Sequence, residues 1–243
     1  MKTCLIIQPG AFGDIILCAP IAKIYSDNGY KVYWPTTSKF KSLIDAFPYV
    51  EHILLNDHNL HPDWLRSDVA KILELPLYND PCIKADLILN LADRGPHSTA
   101  QQPNENFEQV KYRLSNIPIK HKHNLNWERN LEKEDKLFNL LDLTPKNYIF
   151  AGLTSSRNDR ADLPIEDKNI VEVREIDGYS IFDWYKVIIN AKAIYCVESA
   201  IHQFIDGIIP DVEHIPRFVL SRSTLASGQV YSYSPYWDKT YIK

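Results

Sequence analysis

In the first half of the chain, short apolar runs alternate with stretches of helical period. That alternation constrains the fold more than any single residue does. Residues 3–8 form an apolar run suited to a buried parallel strand. It breaks at Gln8-Pro9-Gly10. From Asp14 to Asn28, Ile15, Ile16, Cys18, Ala19, Ile21, Ala22 and Ile24 recur at helical spacing. Pro20 is expected to start or kink this helix, and Asn28-Gly29 to stop it. Residues 31–34 read as a second strand, 38–47 as a helix ended by Pro48, 50–55 as a third strand and 85–91 as a fourth. Such β-α-β-α-β order at short spacing predicts an α/β fold, with a parallel sheet covered by helices on both faces.

Residues 92–109 are polar, with Gln, Asn and Pro, and read as a long loop beyond the carboxyl end of a strand. Open α/β sheets bind ligands there. A short helix is expected at 107–114 and a charged one at 126–141, ended by Leu143-Thr144-Pro145. The strand–turn–helix order then restarts near residue 147. Strands are predicted at 148–153, 170–173, 193–197 and 217–220, and helices at 180–191 and 199–207. The boundary is placed between about 125 and 147, giving domains 1–130 and 131–243.

Composition narrows the class further. Apolar residues make up 45% of the 243, enough for a core. The formal charge of −4 gives no general nucleic-acid footprint, and the acidic excess falls in the second half. Cys4, Cys18, Cys82 and Cys196 form no C-x-x-C pair and lie in or beside apolar runs. They read as buried thiols in a reducing compartment, without zinc. With no charged leader and no stretch of membrane-spanning length, the expectation is a soluble cytoplasmic protein.

Three stretches can carry chemistry. In P-G-A-F-G-D, residues 9–14, a strand enters a helix through glycines, exposing backbone N–H groups that suit an anion. Asp14 reads either as a cap or first-turn acid favoured by the helix dipole, or as a catalytic base. In T-S-S-R-N-D-R, residues 154–160, two hydroxyl side chains and two guanidiniums meet on one turn. Arg157 and Arg160 either clamp a diphosphate or belong to a solvated turn with an Arg–Asp pair. In Y-C-V-E-S-A-I-H, residues 195–202, Ser199 is a natural helix cap before N–H groups that suit a phosphate, and Glu198 can accept from a ribose. His202 reads as a packed histidine if it touches no ligand. The chain lacks G-x-x-x-x-G-K-[ST], G-x-G-x-x-G and G-x-S-x-G, which disfavours P-loop, dinucleotide and serine-hydrolase chemistry.

Taken in order, these stretches resemble the heptosyltransferase-like glycosyltransferases, the ADP-heptosyltransferase or family 9 type. The matching pieces are Q-P-G-A-F-G-D-I-I, S-S-R-N-D-R-A-D-L-P (155–164), G-Y-S-I-F-D-W (178–184), N-A-K-A-I-Y-C-V (190–197) and E-S-A-I-H (198–202). The resemblance implies a GT-B fold, with two facing Rossmann-like domains and mainly parallel sheets. The first domain would be the acceptor side and the second, shortened, would bind the nucleotide sugar. Asp14 would be the general base. Ser155, Ser156, Arg157 and Arg160 would line the donor's phosphates, and Glu198, Ser199, Ala200 and His202 the nucleotide loop. The chain departs from the family pattern in having Arg160 for lysine, Glu198 for aspartate and Ala200 for glycine. His202 comes one residue early, and no room remains between Pro164 and Val173 for the helix that should follow the first strand of the second domain.

The reaction so implied is an inverting sugar transfer from a nucleoside-diphosphate sugar to an acceptor hydroxyl, with neither cofactor nor metal. Gly10, Gly13, Asp93, Arg94, His97 and Ser98 are the acceptor-side candidates. Residues 111–123, K-Y-R-L-S-N-I-P-I-K-H-K-H, read as a solvated basic edge, or as contacts to a phosphate-rich acceptor. A lipid-linked glycan is one such acceptor. DNA carrying hydroxylated bases in a viral setting is another, and would need salt-sensitive contacts and a flipped base. The aromatic tail 231–241 is expected to pack back onto the domains. The rival readings are a non-catalytic nucleotide- or sugar-binding module on the same fold, and another α/β enzyme such as a phosphotransferase or epimerase.

Overall fold

The computed structural model describes residues 1–8, 10–55, 85–92, 105–155, 160–222 and 234–242. The chain divides into two compact units, Met1–Glu128 and Arg129–Lys243.

In the first unit, β1 (Lys2–Ile7), β2 (Tyr30–Thr37), β3 (Val50–Leu55) and β4 (Leu87–Asn90) form a parallel sheet in the order β3-β2-β1-β4. Cys4, Leu5, Ile6 and Ile7 of β1 are all buried, as befits a central parallel strand. Helix α1 (Phe12–Asp27) follows at once and buries Asp14 to Ala22.

Pro20 does not start α1, which begins at Phe12 and continues past the proline to Asp27. Proline removes one intrahelical N–H and crowds the carbonyls of the preceding turn. Next to that opened position, the Tyr112 hydroxyl donates to the Leu17 carbonyl at 3.0 Å. Burial of the surrounding turn holds the helix together. The expected helix at 38–47 is reduced to a 3₁₀ turn, Ser38–Phe40, and one α turn, α2 (Lys41–Ile44). Helix α3 (Phe107–Leu114) begins with a capping box, in which Asn106 and Gln109 satisfy each other's backbone N–H at 2.9 Å.

In the second unit, β5 (Ile149–Gly152), β6 (Ile170–Glu172), β7 (Ala193–Val197), β8 (Arg217–Arg222) and β9 (Asp238–Ile242) form a parallel sheet in the order β6-β5-β7-β8-β9. Helix α4 (Leu131–Leu140) starts later than expected because the Asn130 side chain accepts from Lys133 N at 3.0 Å and sets the cap there. The expected helix at 180–191 becomes a 3₁₀ turn, Ile181–Trp184, leading into α5 (Tyr185–Ile189). Helices α6 (Ala200–Gly207) and α7 (Ile209–Val212) follow β7. One core cluster joins Ile149, Ala151 and Leu153 to Tyr195, Val197 and Leu220. Residues 160–169 hold no helix, so β5 and β6 pair in parallel without a helical crossover among the described residues.

Strand β9 was not expected. Before it, Trp237 is buried, donates from Nε1 to Asp206 at 3.1 Å and packs on the His202 ring at 4.6 Å. This end of the chain is built into the second unit's sheet.

Candidate active site

The first candidate site lies where β1 enters α1. Gly10 stands beside the Phe40 ring, with room for a Cβ only at 3.4 Å. Ala11 occupies the N-cap position with φ 65° and makes no side-chain cap. Asp14 therefore is not the cap of α1. It stands in the helix's first turn, where the dipole favours an acid, and is only 5% exposed.

Its neighbour is Lys111 of α3, whose ammonium lies 3.6 Å from Asp14 Oδ1 and is itself 1% exposed. Lys111 also donates to Gln8 Oε1 and to the Leu91 carbonyl. Gln8 is fixed in turn: its Nε2 donates to the Gly10 carbonyl, and its own carbonyl accepts from Trp34 Nε1, both at 2.8 Å. A carboxylate and an ammonium are thus held together out of water behind the carboxyl ends of β1 and β4.

The basic edge expected at 111–123 is turned inward at Lys111, Lys122 and His123, while Arg113 and Lys120 are exposed. Lys111 is buried against Asp14. Lys122 is buried and donates to Glu108 at 2.6 Å, and His123 is buried. Arg113 is exposed but paired with Glu105. A cation on the apolar face of a helix is held there by its partner, not by solvent. Lys111 was legible to this extent: with the helix set at Phe107–Leu114, it falls on the face of Phe107, Val110 and Leu114.

The second unit brings two turns to the carboxyl ends of adjacent strands. β5 and β7 pair from Ile149↔Ala193 to Gly152↔Cys196. Beyond β5, Ser155 is buried, and Thr154 and Arg160 close the turn by an isolated bridge. The exposed Arg160 guanidinium pairs in two-pronged fashion with Glu172 of β6, a glutamate across the strand pair.

Beyond β7, Ser199 caps α6 as expected, accepting from His202 N at 3.4 Å. Glu198, Ser199 and Ala200 are partly exposed. The N–H groups of the first α6 turn have no intrahelical acceptor. His202 is 1% exposed beneath Trp237, a packed position.

Gly152 was missed. A Cβ there would stand 2.6 Å from Ile201 Cγ2 and 3.0 Å from Cys196 Sγ, so glycine lets α6 begin close against the end of β5. Asp93, Arg94, His97, Ser98, Ser156, Arg157 and Cys82 lie outside the described residues. Cys4, Cys18 and Cys196 are buried, and burial pushes the Cys4 and Cys196 thiols up to about 12. Among the described residues, no group of three or more His, Cys, Asp or Glu is placed to hold a metal ion. Nor is any helix among them long and apolar enough to cross a membrane.

No protein-family model matches the chain, and no curated protein does. Solved structures do match. A glycosyltransferase family 9 protein from Veillonella parvula DSM 2008 aligns over 99% of this chain and 87% of its own, with TM-score 0.62 and 10% identity. E. coli heptosyltransferase WaaC with ADP aligns over 100% of this chain and 94% of its own, with TM-score 0.58 and 12% identity. E. coli ADP-heptose lps heptosyltransferase II aligns over 100% and 90%, with TM-score 0.52 and 11% identity. WaaC is also solved with ADP-2-deoxy-2-fluoro heptose. The fold is that of the GT-B glycosyltransferases. Within that class it is the heptosyltransferase-like fold of family 9, as the motif resemblance implied.

Proposed function

We propose that the chain is an inverting glycosyltransferase that moves a sugar from a nucleoside-diphosphate sugar to an acceptor hydroxyl, with Asp14 as general base. The observation that carries the reading is Asp14 itself. It is a carboxylate in the first helical turn after the central strand, nearly buried and held opposite a buried ammonium. Burying such a pair is costly.

In the reaction, the acceptor oxygen attacks the anomeric carbon from the face opposite the diphosphate. Its proton passes to Asp14. The bond from the anomeric carbon to the diphosphate breaks, and its electrons leave with the diphosphate. Arg160, Arg157, Ser155, Ser156 and the N–H groups behind Ser199 oppose the charge that develops there. To bind phosphate, Arg160 exchanges Glu172 for the donor. Glu198 and Ala200 line the nucleotide. Gly10 and Gly13 are assigned to the acceptor side near Asp14, with Asp93, Arg94 and His97 as its further contacts. The positive groups assigned to the diphosphate make a metal unnecessary, so transfer is expected to persist with a chelator present. The bound nucleotides of WaaC make an ADP-sugar the first donor to try.

The test pairs binding with turnover. In a thermal-shift panel of ADP, UDP, GDP, CDP and NAD with chelator, one diphosphate raises the midpoint and NAD does not. Asp14→Asn keeps that shift and loses transfer by about 100-fold or more. Transfer at the wild-type rate in Asp14→Asn removes Asp14 from the base role. Binding without transfer in the wild type points to the non-catalytic module.

A further inference from the structure

We infer that Lys111 is a positioning residue for Asp14, and this rests on the base role proposed above. An ammonium has three N–H donors. Lys111 directs two at neutral oxygens, Gln8 Oε1 and the Leu91 carbonyl, and its Nζ lies 3.6 Å from Asp14 Oδ1. The two neutral acceptors belong to the ends of adjacent strands: Leu91 N donates to the Ile7 carbonyl at 3.0 Å, and Gln8 directly follows β1. Gln8 is locked by its bonds to Gly10 and from Trp34. The ammonium is therefore anchored to the sheet, and Asp14 is the negative group it faces.

Helix α3 delivers it. The capping box sets where the helix begins, and that start decides which face Lys111 occupies. Two consequences follow for the reaction. The carboxylate is faced on its Oδ1 side by a group from another helix that is itself bonded to the residues following β1 and β4. The charge that Asp14 brings into the buried site faces an opposite charge that is itself buried. A solvated lysine on a basic edge would do neither.

A second buried pair provides the control. Lys122 and Glu108 are 2.6 Å apart and equally buried, and Glu108 lies on the same helix. In that pair Lys122 Nζ donates to Glu108 Oε2. A purely structural role for buried lysines predicts the same phenotype for both sites.

The experiment measures kcat and donor KM from nucleoside-diphosphate release, with ADP-heptose as donor, and checks folding by circular dichroism. The variants are Lys111→Met, Gln8→Met, Lys122→Met and Asp14→Asn. Lys111→Met is expected to fold, to keep donor KM within about twofold and to lose kcat by about 100-fold. Lys122→Met loses thermal midpoint and keeps kcat. Should Lys111→Met fail to fold, Gln8→Met, which loosens the ammonium's anchor, shows the same split of kcat from KM. Wild-type kcat in folded Lys111→Met, or in Gln8→Met where only that variant folds, overturns the positioning role. If Asp14→Asn is meanwhile inactive, the base role stands by itself. Wild-type kcat in Asp14→Asn overturns both.

Discussion

Ala11 holds a backbone conformation that side chains avoid, φ 65° and ψ 114°, at the mouth of α1 and three residues before Asp14. Its Cβ opposes that geometry, and the buried turns on either side maintain it. Ala11→Gly should raise the unfolding free energy by up to about 1 kcal/mol, net of the freedom glycine adds to the unfolded chain. Urea unfolding checks this. Gly152 is the opposite case, because any Cβ collides with Ile201 and Cys196. Gly152→Ala should cost roughly 1–3 kcal/mol, and Ile201→Ala in the same chain should recover part of it. Asp14 was visible in the sequence as an acid at a strand–helix turn. Its partner was not, because residues 14 and 111 meet only through the tertiary fold, and no local pattern pairs them.

At the scale of elements, α3 and β9 show what is local and what is not. The bounds of α3 are written in its own residues, since Asn106 and Gln109 close its first turn and Asn116, at φ 54°, follows its last. Asn106→Ala should lower stability by about 1 kcal/mol, and should also reduce turnover by loosening the seat of Lys111. Thermal melts and kcat read the two effects separately. β9 could not be read this way. Its tyrosine- and serine-rich approach has no strong alternation, and the strand forms only because β8 offers an edge. The indole of Trp237 fastens that approach through Asp206 and His202. Trp237→Ala should cost roughly 3–5 kcal/mol, measured by denaturant unfolding. The continuation of α1 past Pro20 was equally hidden, because the burial of that turn is set by distant parts of the chain.

For the whole molecule, His52 is one contributor in the first unit to the pH dependence of stability. Burial lowers the pKa of His52 below its ordinary 6.5, and its Nε2 lies 2.8 Å from Thr36 Oγ1. The unfolded chain then takes up a proton at a pH where the folded chain does not. This contribution is intact above pH 6.5 and is lost as pH falls through the folded value. Melts between pH 7.5 and 5, bounds set at about the ordinary histidine range, should show a smaller acid loss in His52→Gln than in the wild type.

The parallel sheets have a further consequence, in time rather than in energy. The hydrogen bond from Lys111 to Gln8 joins residues 103 apart in sequence, and those between Thr3 and Asp86 join residues 83 apart. Helices form from near neighbours, whereas these contacts wait for long stretches of chain to close on themselves. On dilution from urea, the far-ultraviolet helical signal should return first and turnover last. The interval between them measures how long this chain looks folded before it can work.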